Sequence, residues 1–323
     1  MLTSAVFLNA GYPERATAIS RGGSLWLRRH IAHVQAWADG VGLDISESLL
    51  VDLGEVDLSP PDQPFRVDVI VPFSPADAKF VGQCLESLAA QKHVSLVVHL
   101  VEDSSQSYEY ASAELFGLDV RYHVTGGRRG PYWIANAVAE HTETGLIALN
   151  DVDDVRYPDC LWRQCRLLQL HNAEMVSSAL RNYCVAGDVV AERRVEREPV
   201  VLPGRVQSHA PLGACVNPTR LMTTDLFVRM NGFADEICSM DFEFDTRCRA
   251  IGVRVIDDTE VMGDRFVRGD SLSHGGDFGI GTDLRARANA VCMEIVEAIL
   301  DEPTLLRANL LGNMSNCRLA PRR

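Results

Sequence analysis

Three apolar runs, Val67–Val71, Ser95–Val101 and Gly145–Leu149, alternate with segments whose apolar residues recur at helical spacing, and this alternation limits the possible folds more than any other feature. Short apolar runs bounded by turn signals are the pattern of strands buried on both faces. Alternating with amphipathic helices, they imply a mostly parallel central sheet covered by helices. Val67-Asp68-Val69-Ile70-Val71-Pro72 reads as a strand stopped by proline, and Phe80, Val81, Cys84, Leu85, Leu88 and Ala89 stripe a helix. Ser95–Val101, interrupted by His99, completes a βαβ unit. Leu118–Val124 is the next strand, Trp133, Ile134, Ala137 and Val138 stripe another helix, and Gly145–Leu149 closes the alternation.

That last strand runs directly into Asn150-Asp151-Val152-Asp153-Asp154. In open α/β sheets the ligand crevice lies outside the strands' C-terminal ends. Carboxylates there suit a hard cation such as Mg²⁺ or Mn²⁺ shared with substrate phosphates. An isolated Asp-x-Asp would instead read as a solvated turn before the helix that begins near Tyr157-Pro158. The second half is less regular: a polar strand pair across Tyr183–Val195 about Gly187-Asp188, helices near Thr223–Met230 and Asp241–Ile251, short strands at Val253–Ile256 and Val261–Val267, and an amphipathic segment at Thr282–Leu300. Before the α/β region lie one expected helix, Ser24–Ala38, and a proline-rich linker at Ser59–Pro64.

A formal net charge of -13 over 323 residues argues against a nucleic-acid surface, which needs clustered Lys and Arg. The 9 cysteines contain no Cys-x-x-Cys pair, so reduced buried thiols are expected, with no zinc ribbon. No apolar stretch approaches the roughly 20 residues of a spanning helix, and the N-terminus lacks signal-peptide order. A soluble cytoplasmic protein is expected, with membrane contact and homo-oligomerisation left open.

Four further segments carry potential chemistry. Glu102-Asp103-Ser104-Ser105 follows the second strand, where Asp103 can accept hydrogen bonds from a base or ribose, or simply form a turn. Thr125-Gly126-Gly127-Arg128-Arg129-Gly130-Pro131 leads into the helix of Asn136, and its arginines could meet a diphosphate. It is not a dinucleotide fingerprint, because no Gly-x-Gly-x-x-Gly follows the first strand. Asn231-Gly232-Phe233 precedes Asp241, a candidate general base if it lies over the donor site and otherwise a helix cap. Arg268, Ser271 and His274 occupy a late loop, with His274 a possible metal ligand and Arg268 and Ser271 possible phosphate contacts.

In this order the segments resemble the family 2 glycosyltransferases of GT-A fold. Val67–Phe73 is similar to their opening strand, Cys84–Gln91 to the first helix with its closing Gln, and Glu102-Asp103-Ser104-Ser105 to Asp-Asp-Gly-Ser. Asn136, Asp151-Val152-Asp153-Asp154 with Pro158, Asn231-Gly232-Phe233, Asp241 and Arg268–Ser273 match later motifs, so the likeness spans residues 66–275. Glu102 and Met240 depart from the usual acids, and Gln-x-x-Arg-Trp is absent, which favours a single addition over polymer synthesis.

The resemblance implies an inverting, metal-dependent transfer of one sugar from a nucleoside-diphosphate sugar, a UDP-sugar by default, to a hydroxyl on a carbohydrate, lipid-linked or peptide acceptor. It implies Asp241 as general base, Asp151, Asp153 and His274 around Mn²⁺ or Mg²⁺, and Pro72, Asp103, Arg129, Asn136, Asp151, Arg268 and Ser271 around the donor. The expected organisation is an N-terminal extension and linker (1–64), a donor half (65–180), an acceptor half (181–280) and a C-terminal helical segment (281–323). A sugar-nucleotide nucleotidyltransferase and a non-catalytic carbohydrate- or partner-binding relative are the rival readings. The first lacks its phosphate loop, since Val71-Pro72-Phe73-Ser74-Pro75 stands after the first strand.

Overall fold

The computed structural model describes residues 56–105, 115–186, 189–192, 205–207, 215–234, 240–250 and 253–269, with short pieces beyond. The expected helix Ser24–Ala38 and most of the N-terminal extension lie outside them. The elements run β1 (Phe65–Phe73), a 3-10 turn (Pro75–Phe80), α1 (Val81–Ala89), β2 (Val94–Glu102), β3 (Asp119–Val124), α2 (Pro131–Ala139), β4 (Leu146–Leu149), β5 (Val155–Arg156) and α3 (Cys160–His171). There follow β6 (Met175–Ala186), β7 (Val189–Glu192), β8 (Arg205–Gln207), β9 (Cys215–Thr223), α4 (Thr224–Arg229), α5 (Met240–Ala250) and β10 (Val255–Arg268). The sheet order is β3-β2-β1-β4-β9-β6-β10-β5, with β7 beside β6 and β8 beside β10. Strands β1 to β4 are mutually parallel. Because β9 enters antiparallel between β4 and β6, one sheet runs through both expected halves.

Side-chain alternation along β1 builds a core on each face. Val67, Val69, Val71 and Phe73 pack with Cys84, Leu85 and Leu88 of α1 and Trp162 of α3. Ile70 turns the other way, toward Ile134 and Val138 of α2, Phe227 of α4 and Phe244 of α5. His99, the polar break in β2, is fully buried and pairs with the equally buried Asp68 of β1 at 2.8 Å. Gln91, just past α1, joins that helix to the next layer: its amide donates to Tyr157 O at 2.8 Å and accepts from Leu161 N at 3.0 Å.

Two expectations change. The short strands Val253–Ile256 and Val261–Val267 are one strand, β10, whose register against β6 shifts at Asp258/Val261 and Val261/Asp264. Those irregularities absorb the polar Thr259-Glu260 step that looked like a break in the sequence. Of the amphipathic segment Thr282–Leu300, the described residues include a helix at 283–288, and most of the remainder lies outside them. The polar strand pair is the β6/β7 hairpin, with Ala186 opposite Val189.

A buried arginine fixes the approach to α5. Arg247 pairs with Glu243 and donates to the carbonyls of Met230 and Gly232, each at 2.6 Å. Arg247→Met would leave Glu243, already pushed upward by burial against the pull of Arg247, without its cation. The expected cost is about 3–5 kcal/mol, read as a lowered urea midpoint with an unchanged slope.

Candidate active site

The aspartates stand where β4 ends, and a buried cation shapes their loop from beneath. Arg156 of β5 donates to Asn150 Oδ1 and to Leu149 O, both at 2.5 Å, while Asn150 Nδ2 donates to Asp151 O at 2.8 Å. The turn closes through Asp154 N on Asp151 O at 3.2 Å. Asp151 is solvent-accessible, yet the walls of the cleft crowd it. Desolvation there, followed by the charge of Asp153, pushes its carboxyl up to about 6; Asp241 adds to the rise, and Arg265 and Arg156 oppose it. Asp154 is raised well above the ordinary carboxylate range, by burial first and Asp151 next. Its Oδ2 is buried without a hydrogen-bond partner.

Asp153 faces a cation already. Arg268, at the end of β10, reaches it through Nε at 3.1 Å and Nη2 at 2.9 Å, holds Asp77 Oδ1 at 2.8 Å, and stacks over Phe80 at 4.3 Å. Asp77 was not singled out from sequence. Its one signal was an acid just past the proline that stops β1, at the same sheet edge as the aspartates. Among the described residues no three His, Cys, Asp or Glu side chains converge into a ready cation cage. His274 lies outside the described residues. Ser271 hydrogen-bonds back to Arg268 O at 3.0 Å, closing the turn after β10.

On the donor side, Asp103 accepts from the backbone amides of Arg129 at 2.6 Å and Gly130 at 2.9 Å. It thereby holds the glycine loop, in which Gly130 takes a φ of 88° that a side chain would resist. The Arg129 guanidinium lies over Trp133 at 5.3 Å. Glu102 is buried and receives hydroxyl hydrogen bonds from Tyr122 and from Ser104, the latter at 2.7 Å. Pro72 is the penultimate residue of β1, paired with Val101. The structure sets Asn136 apart from this group: it is 1 % exposed, its Nδ2 donates to Phe233 O at 2.9 Å and its Oδ1 accepts from Phe233 N at 2.8 Å. Its amide therefore pins the Gly232 turn to α2. Gly232 has a φ of +67°, and a Cβ there would collide with the Asn136 amide, so no side chain is accommodated at Gly232.

Asp241 sits in the first turn of α5, opposite α2. Tyr132 donates its hydroxyl to Asp241 Oδ1 at 3.0 Å, and Arg220 of β9 donates to Asp241 O at 3.0 Å. Met240, beside it, is buried in the core. Asp151, Asp153, Asp154 and Asp241 thus lie within electrostatic reach of one another, and Arg268 is bonded to Asp153.

Solved structures of glycosyltransferases share this α/β fold, the GT-A fold. The Pyrobaculum calidifontis mannosyltransferase PcManGT, solved with GDP-Man and Mn²⁺, superposes with a TM-score of 0.51 at 17% identity, covering 95% of this chain and 82% of that one. TarS 1-349 from S. aureus gives 0.51 at 17% identity over 76% and 71% of the two chains, and its complex with UDP-GlcNAc gives 0.50 at 16% identity over 73% of each. No curated protein sequence matches the chain significantly. Residues 68–217 match the family described as Glycosyl transferase family 2. The chain has the GT-A fold, and its residues 68–217 are similar to the family 2 glycosyltransferases. No helix among the described residues is long and apolar enough to cross a membrane.

Proposed function

We propose that the protein transfers a single sugar, with inversion, from a nucleoside-diphosphate sugar to an acceptor hydroxyl, in a divalent-metal-dependent reaction with Asp241 as base. The observation that carries this reading is the aspartate cluster at the end of β4, where Asp154 leaves a buried carboxylate oxygen unpartnered and Asp151 is raised to about 6. Crowded carboxylates of this kind suit a divalent cation. Asp151 and Asp153 would hold it, with Asp154 adjoining and His274 as a further proposed donor. Fewer than three converging side chains among the described residues is consistent with a site completed by substrate phosphates. A cation bound there supplies Lewis-acid stabilisation of the departing diphosphate.

The chain's own groups do the rest. Asp241 takes the proton of the acceptor hydroxyl as the oxygen attacks the anomeric carbon on the face opposite the diphosphate, which inverts that centre. Arg129 and Arg268 offer guanidinium donors to phosphate oxygens, and Pro72 and Ser271 would line the donor pocket. Asp103 would read the base or ribose from beside the loop it holds, and Asn136 would act on the donor indirectly through the turn it pins.

A thermal-shift panel of UDP, GDP, UDP-GlcNAc and GDP-mannose, with and without Mn²⁺, tests the reading. A donor at about 100 times its dissociation constant adds about 2.7 kcal/mol of stability, and that shift should require the metal. Subsequent release of nucleoside diphosphate supports transfer, whereas pyrophosphate release would assign nucleotidyl chemistry instead.

The cluster also predicts a pH dependence. Asp151 binds its proton more tightly folded than unfolded, so its contribution to stability is full below the ordinary carboxylate range and disappears as pH rises through about 6. Measured against Asp151→Asn, the metal-free protein should lose melting temperature between about pH 4 and about pH 6. Mn²⁺ should stabilise the parent more at the higher pH, because the ligand must shed its proton to bind.

A further inference from the structure

Tyr132 of α2 reaches across to Asp241, and nothing in the motif pattern marks it. It stands directly after Pro131, at the start of a helix whose N-terminal loop is held by Asp103 through the amides of Arg129 and Gly130. Its ring packs on Phe233 with centroids 5.1 Å apart, so the phenol is held from the side by the turn that Asn136 pins. Its hydroxyl donates to Asp241 Oδ1 at 3.0 Å, while Arg220 Nη1 fixes the backbone of the same residue at 3.0 Å.

We propose that Tyr132 is a positioning residue for the base: it orients the Asp241 carboxylate toward the reacting hydroxyl, linking the donor loop to the acceptor half. The proposal rests on the reading of Asp241 as base. A phenol is suited to this task because it can donate a hydrogen bond without carrying charge. Burial first, then the negative charge of Asp241, holds the Tyr132 hydroxyl well above its usual titration range, so it remains a donor wherever the enzyme works. The contact joins residues 109 positions apart, one on each side of the cleft. A shift of α2 as the donor loop engages its ligand would therefore move the base with it.

Tyr132→Phe keeps the ring on Phe233 and deletes only the donor. With Mn²⁺ and whichever of UDP-GlcNAc and GDP-mannose the parent hydrolyses, kcat for nucleoside-diphosphate release should fall about 10-fold with donor KM unchanged. A readout independent of turnover uses ¹³Cζ-tyrosine NMR: the Tyr132 resonance, assigned by its absence in Tyr132→Phe, should move upfield in Asp241→Asn, where the charged acceptor is gone. If Asp241→Asn keeps full turnover, the base assignment itself fails. If Asp241→Asn is dead while Tyr132→Phe keeps the parent's kcat, only the positioning role is overturned. An unmoved Tyr132 resonance in Asp241→Asn also overturns it, since the hydrogen bond would then not exist in solution.

Discussion

Asp241→Asn should reduce turnover by about 10²–10⁴-fold while leaving donor and metal binding intact, which is the range a lost general base commonly costs. The substitution is nearly isosteric, and the surroundings that hold the residue do not depend on its charge. Arg220 contacts its backbone carbonyl, and α5 is anchored by the Arg247 contacts to Met230 and Gly232. A thermal shift by donor with Mn²⁺ equal to the parent's, together with lost release of nucleoside diphosphate, would show that the step lost is proton removal. Retained turnover would take Asp241 out of the role.

Asp153→Ala should abolish metal-dependent turnover, the other large effect. Its carboxylate is the point where two cations compete: Arg268 in this structure, and a divalent ion in the proposed reaction. Truncation removes the proposed ligand but leaves Arg268 with Asp77 at 2.8 Å and with the Phe80 ring, so the cost to folding should be about 1–3 kcal/mol. Titration with Mn²⁺ followed by electron paramagnetic resonance separates the two effects, since a folded variant that no longer depletes free Mn²⁺ has lost the site. Undiminished activity of the parent in excess chelator would refute the metal assignment.

The fold was legible because its signals are local. Val67–Val71 and Leu96–Val101 are buried on both faces and so are apolar without a break, apart from Asp68 and His99, which satisfy each other. Helical stripes and the prolines and glycines between them delimited β1 to β4 and the helices to within a few residues. The second half was less legible: β5, β8, the central β9 and the first part of β6 were not read from sequence, and β10 was read as two strands, since a pairing with shifted register can carry polar residues that mimic a loop.

Within the site, the order of motifs along the chain was enough to pick out Asp151, Asp153, Asp241 and Arg268, because acids at a strand end and at a helix start are visible in one dimension. Their partners were not. Arg268 meets Asp153 across 115 positions and Asp77 across 191, and Tyr132 meets Asp241 across 109. Arg156, which shapes the aspartate loop from beneath, reads in sequence as an ordinary residue before a helix. Periodicity and residue chemistry therefore settle which segments form strands and helices and which groups could react. The partner of each buried charge is set by how the packed layers bring distant segments together, because desolvation forces every such group onto whatever counter-charge or amide the finished fold places beside it.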